Sequence, residues 1–164
     1  VAARVEALFV AVRGSEPMLR VDRVTALAGR GLDGDRYCER SGYWTGVDEC
    51  QVTLISAEDL DAITRDTGVS VGEGQHRRNI VVRGMIEGGA VEGAGLQELA
   101  GQRFRLGSAL FEYDRPRPPC AYIEALTEPG MTRSLLGRGG ICVRVIEDGS
   151  VGEGDEIVVA TPRG

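Results

Sequence analysis

The chain has 164 residues, 42% hydrophobic and 27% charged, which fits one soluble folded domain over 1–164 and argues against a disordered tail or a membrane protein. Its 19 basic and 25 acidic side chains leave a formal net charge of −6, which argues against broad binding to nucleic acid or anionic lipid. All 19 basic residues are arginine. Without lysine there is no covalent pyridoxal phosphate, no Walker-type phosphate-loop lysine and no lysine nucleophile, so any anion is held by arginine forks or backbone N–H groups.

In chain order, residues 5–12 and 20–27 read as strands, the second alternating apolar and charged with one slip. Cys38 and Cys50 flank a loop carrying Tyr43 and Trp44. The β-branched runs 51–55 and 79–82 fit buried strands. Between them Ser56, followed by Glu58 and Asp59, opens a helix that runs to Thr67 and is closed by Gly68. Residues 82–101 are glycine-rich and read as a loop or a short helix near 96–100. Further strands are expected at 104–106, 109–113, 141–146 and 156–159, with short helices at 121–126 and 131–136. Gly107-Ser108, Asp148-Gly149 and Gly152 to Asp155 supply turn chemistry. The 24 glycines punctuate short β-like runs, which predicts a mainly β barrel or sandwich with a few short helices.

Several segments carry possible chemistry. Gly29-Arg-Gly31-Leu-Asp-Gly34 matches G-x-G-x-x-G, yet the polar stretch after it has no helical period, so a sharp turn is expected rather than a dinucleotide site. Asp33, Asp35 and Arg36 in that turn fit either a surface turn or an aspartate that orients an arginine towards an anion. Arg77-Arg78-Asn79 leads into Ile80-Val81-Val82 and fits either solvent-facing charge or a phosphate or carboxylate clamp. His76, the single histidine, is expected to be an exposed loop residue, and multi-histidine metal sites are excluded.

The four cysteines show no C-x-x-C pair and no zinc-type spacing. With Arg4 and Glu6 near the start and no uncharged run longer than the eight residues 50–57, the expectation is a cytoplasmic chain with free thiols and no membrane span. Cys120 follows Arg115-Pro-Arg-Pro-Pro119, a stiff electropositive segment where a thiolate is favoured, although a small buried residue fits the same position. Cys142, in Ile141-Cys-Val-Arg-Val145, reads as core.

Gly31-Leu-Asp-Gly-Asp-Arg36, Gln51-Val-Thr-Leu-Ile55, Arg77-Arg-Asn-Ile-Val-Val82, Pro119-Cys120-Ala-Tyr122, Gly137-Arg-Gly-Gly140 with Val143-Arg-Val145, and Gly154-Asp155 occur in one order. In that order and approximate spacing they resemble the MOSC domain, the molybdenum cofactor sulfurase C-terminal domain family. The resemblance covers about residues 5 to 160 and implies a MOSC-type β-barrel. It implies that Cys120 is the functional cysteine, either as a persulfide in sulfur transfer or as the thiolate ligand of molybdenum in a bound molybdenum cofactor (molybdopterin). It also implies that Arg78 and Asn79, with Arg77 beside them and Arg36 from the glycine turn, hold an anionic cofactor or substrate. Tyr37 departs from the family, many members of which carry histidine there.

Three functions follow as expectations. The first is a stand-alone sulfur carrier served by a sulfur donor such as a cysteine desulfurase. The second is a molybdenum-cofactor-dependent reductase of N-hydroxylated compounds with an electron-transfer partner. The third is a non-catalytic module binding a small molecule against Tyr37, Tyr43 and Trp44.

Overall fold

The computed structural model describes residues 3–13, 16–38, 50–68, 74, 76–84, 94–117 and 140–160. In order these form β1 (Arg4–Val10), β2 (Leu19–Val21), β3 (Arg23–Leu27), β4 (Gly31–Leu32), β5 (Val52–Ser56), α1 (Ala57–Thr67) and β6 (Ile80–Arg83). The rest are α2 (Ala94–Gln97), β7 (Arg103–Leu106), β8 (Ala109–Pro116), β9 (Ile141–Glu147), β10 (Gly149–Gly152) and β11 (Ile157–Val159). The chain is mainly β, as its composition predicts.

Eight strands form one sheet in the order β11-β7-β8-β9-β5-β6-β1-β2, and β10-β3-β4 form a second. The pairings leave β11 and β2 as sheet edges, with an isolated bridge between Arg4 and Glu156. The strand pairings of the described residues form two sheets and leave the expected barrel unconfirmed, while the Val5 N–H donates to the Asp155 carbonyl at 2.8 Å and the Ile157 N–H to the Ala3 carbonyl at 3.0 Å, linking β1 to the segment entering β11.

The predicted strand 20–27 is two strands broken at Asp22: β2 pairs with β1, and β3 pairs with β10 and β4. The slip in its alternation marks the point where the chain changes sheets. Gly149 and Gly152 were expected in turns, but with Ser150 and Val151 they pair with β3 from Gly149↔Ala26 to Gly152↔Arg23. A Cβ at Gly149 would stand 2.3 Å from the Ala109 nitrogen, so close packing against β8 dictates glycine inside this strand.

α1 follows its sequence signals. The Ser56 hydroxyl accepts from the Asp59 N–H at 3.3 Å, and the Gly68 N–H caps the last turn on the Thr64 carbonyl at 3.0 Å. The helix is required by topology as well: β5 and β6 are parallel, with Leu54 opposite Ile80, and parallel neighbours need a crossover.

The large sheet buries both faces around its centre. Val5, Leu8, Leu54, Ile80, Val143 and Phe111 belong to one core, while Ala7, Phe9, Ile55 and Val81 pack with Leu60 and Ile63 of α1 on the other. Along β9, Ile141, Val143 and Val145 face the first core, which turns Cys142 and Arg144 to the opposite side. Cys142 sits across from Thr53 of β5. The α2 region is shorter than the expected 96–100 helix and continues as turns through Gln102. The helices expected at 121–126 and 131–136 lie outside the described residues. No described helix is long and apolar enough to cross a membrane.

Candidate functional site

The glycine turn after β4 begins no helix, so the dinucleotide motif is a turn as predicted. It delivers Asp35 and Arg36 to the interior, both buried. Asp35 Oδ1 accepts from the Ala11 N–H at 3.0 Å and from Arg36 Nη1 at 3.1 Å, and Oδ2 accepts from the Tyr37 N–H at 3.3 Å. Of the two readings left open for this turn, the aspartate that fixes an arginine is the one seen. Arg36 Nη2 donates to the Arg77 carbonyl and to the Tyr37 hydroxyl, both at 3.2 Å, and the guanidinium carbon lies 4.2 Å from the Tyr37 ring centre.

The segment before β6 brings the second group. Arg77 has φ of 60°, a left-handed conformation that a side chain other than glycine, asparagine or aspartate seldom adopts. Its N–H is held by the Gly74 carbonyl at 3.0 Å, and its Nη1 donates to the Glu16 carbonyl. Arg78 Nη1 donates to the His76 carbonyl at 3.4 Å and Nη2 to the Arg117 carbonyl at 3.3 Å. These carbonyls orient the two guanidinium groups. Arg117, at the end of β8, directs its Nη2 to the Tyr37 hydroxyl at 3.5 Å. Arg36, Arg77, Arg78 and Arg117 are each less than a tenth exposed. Burial, then the nearby Arg117 charge, lowers the Arg78 pKa to about 10, which still leaves it cationic at neutral pH.

His76 is not the exposed residue the sequence predicts, because it is wholly buried and meets Phe9 edge-on at 5.1 Å between ring centres. Its Nδ1 accepts from the Arg78 N–H at 2.9 Å, which places the proton on Nε2. Burial first, then Arg78 and Arg77, pushes its pKa down to about 3. The buried Nε2 has no hydrogen-bond partner.

Asn79 stands beside the arginines but directs its amide into the sheet. Oδ1 accepts from the Thr53 N–H at 3.0 Å and the Thr53 hydroxyl at 3.1 Å, and Nδ2 donates to the Phe9 carbonyl at 3.1 Å. It ties β5, β6 and β1 together directly below Arg78.

Two thiols adjoin the same cluster. Cys50, just before β5, donates to the Val52 carbonyl at 3.3 Å. Burial, reinforced by the Cys142 side chain, pushes the Cys50 thiol well above its usual value. Cys142 is held below its usual value, first by the Cys50 side chain, with Arg117, Arg115 and Arg78 acting the same way and burial opposing. Cys142 is buried, as a core residue should be, but sequence reading missed its partner. The signal was its phase, since it alternates with the apolar residues of β9 and shares a side with Arg144. Cys38 is buried as well.

The structure therefore brings Arg36, Arg77 and Arg78 together, adds Arg117, Tyr37 and His76, and sets Asn79 beneath them. Cys120, Tyr43 and Trp44 lie outside the described residues. Among the described residues, no group of three or more histidine, cysteine or acidic side chains is arranged to hold a metal ion.

The comparisons agree with this arrangement of strands. The chain is similar over 99% of its length to the YuaD protein from Bacillus subtilis, 98% of which is covered, with 22% identity and a TM-score of 0.75. YiiM from Geobacillus stearothermophilus matches 97% of this chain and 75% of its own, with 17% identity and a TM-score of 0.67. YiiM from Escherichia coli matches 98% and 71%, with 19% identity and a TM-score of 0.61. No curated protein matches the sequence. The family model of the MOSC domain matches residues 42–158, more than half of the sequence, and the chain belongs to the MOSC domain family.

Proposed function

We propose that this MOSC domain binds an oxyanion-bearing cofactor or substrate at Arg36, Arg77, Arg78 and Arg117, and that Cys120 performs its sulfur chemistry. The observation that carries this reading is the convergence of four buried guanidinium groups, three of them anchored on main-chain carbonyls. Guanidinium forks gathered in one place offer several N–H donors to a single planar or tetrahedral oxyanion, so the cluster favours an anionic guest. The buried His76 Nε2–H, a donor with no acceptor, supports the same polarity.

The molybdenum cofactor associated with the family fits this donor set through its phosphate, which Arg36, Arg77, Arg78 and Arg117 would hold. When bound, that group supplies a metal centre able to exchange two electrons. Asn79 is a positioning residue: it fixes the backbone that presents Arg78. Asp35 does the same for Arg36. Cys120, three positions beyond Arg117, is the thiolate that carries sulfane sulfur or ligates the metal. The donor of sulfur is a protein such as a cysteine desulfurase, and the reductase alternative needs an electron-transfer partner instead.

Native mass spectrometry of anaerobically purified protein, beside Cys120→Ala, tests this. A reductant-sensitive gain of about 32 Da, absent from the variant, identifies a persulfide carrier. A larger adduct matching a molybdenum pterin identifies the cofactor-binding form and the reductase alternative. A bare mass in both, together with no measurable binding of molybdate or inorganic phosphate, overturns the proposal.

A further inference from the structure

The Tyr37 hydroxyl accepts hydrogen bonds but gives none. Its oxygen accepts from Arg36 Nη2 at 3.2 Å and, at the long end of the range, from Arg117 Nη2 at 3.5 Å. A phenol oxygen has two lone pairs and one proton, so both acceptor positions face guanidinium groups, and a guanidinium has no lone pair with which to take the proton in return. Among the described residues no acceptor meets that O–H. Its position is set by the buried Asp35, which accepts from the Tyr37 N–H at 3.3 Å and from Arg36 Nη1 at 3.1 Å. The Arg36 guanidinium carbon lies 4.2 Å from the ring centre, a stacking contact for which the ring alone would serve, so the hydroxyl adds something that phenylalanine would lack. Arg36, Arg77, Arg78 and Arg117 are buried, whereas Tyr37 is half-buried and is the member of the group that a guest arriving from solvent can reach.

We propose that the Tyr37 O–H donates to an unprotonated oxygen of the bound oxyanion, which makes Tyr37 a specificity-determining residue of the site. This rests on the oxyanion reading given above and adds to it which kind of oxygen is recognised. Two cationic donors on the phenol oxygen polarise its O–H bond and strengthen it as a donor. A guest group that brings its own proton to this point meets only the donors Arg36, Arg117 and Tyr37, and would leave a polar hydrogen without an acceptor. The oxygen bound there is therefore a bare one, as on an ionised tetrahedral oxyanion. Tyr37 also binds the guest and braces the site in one act, since the oxygen that ties Arg36 of the glycine turn to Arg117 of β8 is the oxygen whose proton is offered.

The test is titration calorimetry of the full chain with inorganic phosphate at about pH 6.5, where phenols keep their proton. It is run on the unmodified protein, on Tyr37→Phe, and on protein carrying ortho-fluorotyrosine in place of Tyr37. Tyr37→Phe keeps the ring for Arg36 and removes the donor, so affinity should fall about tenfold. Ring fluorination makes a phenol a stronger donor and a weaker acceptor, so the two roles of the hydroxyl move in opposite directions. A donor to the guest should bind phosphate about twofold more tightly when fluorinated, whereas an oxygen that only braces Arg36 and Arg117 should bind it no better. Far-UV circular dichroism checks folding, and if Tyr37→Phe does not fold, the fluorinated protein decides alone. Unchanged affinity in a folded Tyr37→Phe, or no gain on fluorination, overturns the role of Tyr37 while the arginine site stands. Absence of both phosphate and molybdate binding in the unmodified protein overturns the oxyanion reading, and this inference with it.

Discussion

The Arg78 Nη2 group donates to the main-chain carbonyl of Arg117 across 3.3 Å, joining two arginines that lie 39 residues apart. One comes from the segment entering β6 and the other from the end of β8, so two distant parts of the chain present their charge to one place. Burial first, and then the Arg117 charge, lowers the Arg78 pKa.

An oxyanion in this site should feel each fork. Arg78→Gln removes a charged hydrogen-bond donor and is expected to weaken binding of inorganic phosphate or molybdate by about 1.5–3 kcal/mol, roughly 10- to 150-fold. Isothermal calorimetry on wild type and variant reads this directly. Equal affinity in both would remove Arg78 from the site.

Asp35 and Arg36 are a buried ion pair, with side-chain exposures of 0% for Asp35 and 5% for Arg36. Asp35→Ala leaves the guanidinium uncompensated and strips the Ala11 N–H of its acceptor. A loss of about 3–5 kcal/mol is expected, seen as a lower urea midpoint with an unchanged slope. A loss below about 1 kcal/mol would mean that the pair is not what holds the turn.

Asn79→Ala should act on stability. It orphans the Thr53 N–H in the sheet and the Phe9 carbonyl together, for about 2–4 kcal/mol. Thermal unfolding measures this. If the variant is as stable as wild type but has lost oxyanion binding, Asn79 contacts the guest rather than positioning Arg78.

His76 makes the fold sensitive to acid. Its folded pKa of about 3 lies below the unfolded value of 6.5, so below pH 6.5 the unfolded chain binds the extra proton. Stability is therefore full above about pH 6.5 and falls by about 1.4 kcal/mol per pH unit between there and pH 3. Urea midpoints at pH 7, 6 and 5 should show this slope in wild type and lose it in His76→Asn, whose amide oxygen can still accept the Arg78 N–H. As the chain has a single histidine, its imidazole nitrogen resonances report the tautomer without assignment. Protonated Nδ1, or titration near pH 6, would contradict the buried neutral ring.

What could be read from the chain was local. The Ser56 and Gly68 caps define α1 without any help from its surroundings, and the slip at Asp22 was already a visible irregularity. Arg36, Arg77 and Arg78 stood out as charge placed next to turns or buried runs. Their meeting with Arg117 and Tyr37 was not legible, because it depends on which strands become neighbours. His76 was misplaced for the same reason: glycines and arginines flank it in sequence, and the ring that covers it, Phe9, arrives from β1. Strand β10 was missed because Gly149 serves close contact with the start of β8, a packing demand that propensity does not carry.

Leu8 of β1 lies opposite Ile80 of β6, and Arg4 bonds to the Gly154 carbonyl and to Glu156. β1 thus completes its ladders only with partners that lie about 70 and 150 residues further along the chain. A sheet closed by such distant pairs must give up much chain entropy before its contacts repay it, which points to refolding in milliseconds to seconds rather than microseconds. Until then β1 has β2 on one side and an open apolar edge on the other, and aggregation during folding should depend on how quickly β6 covers that edge.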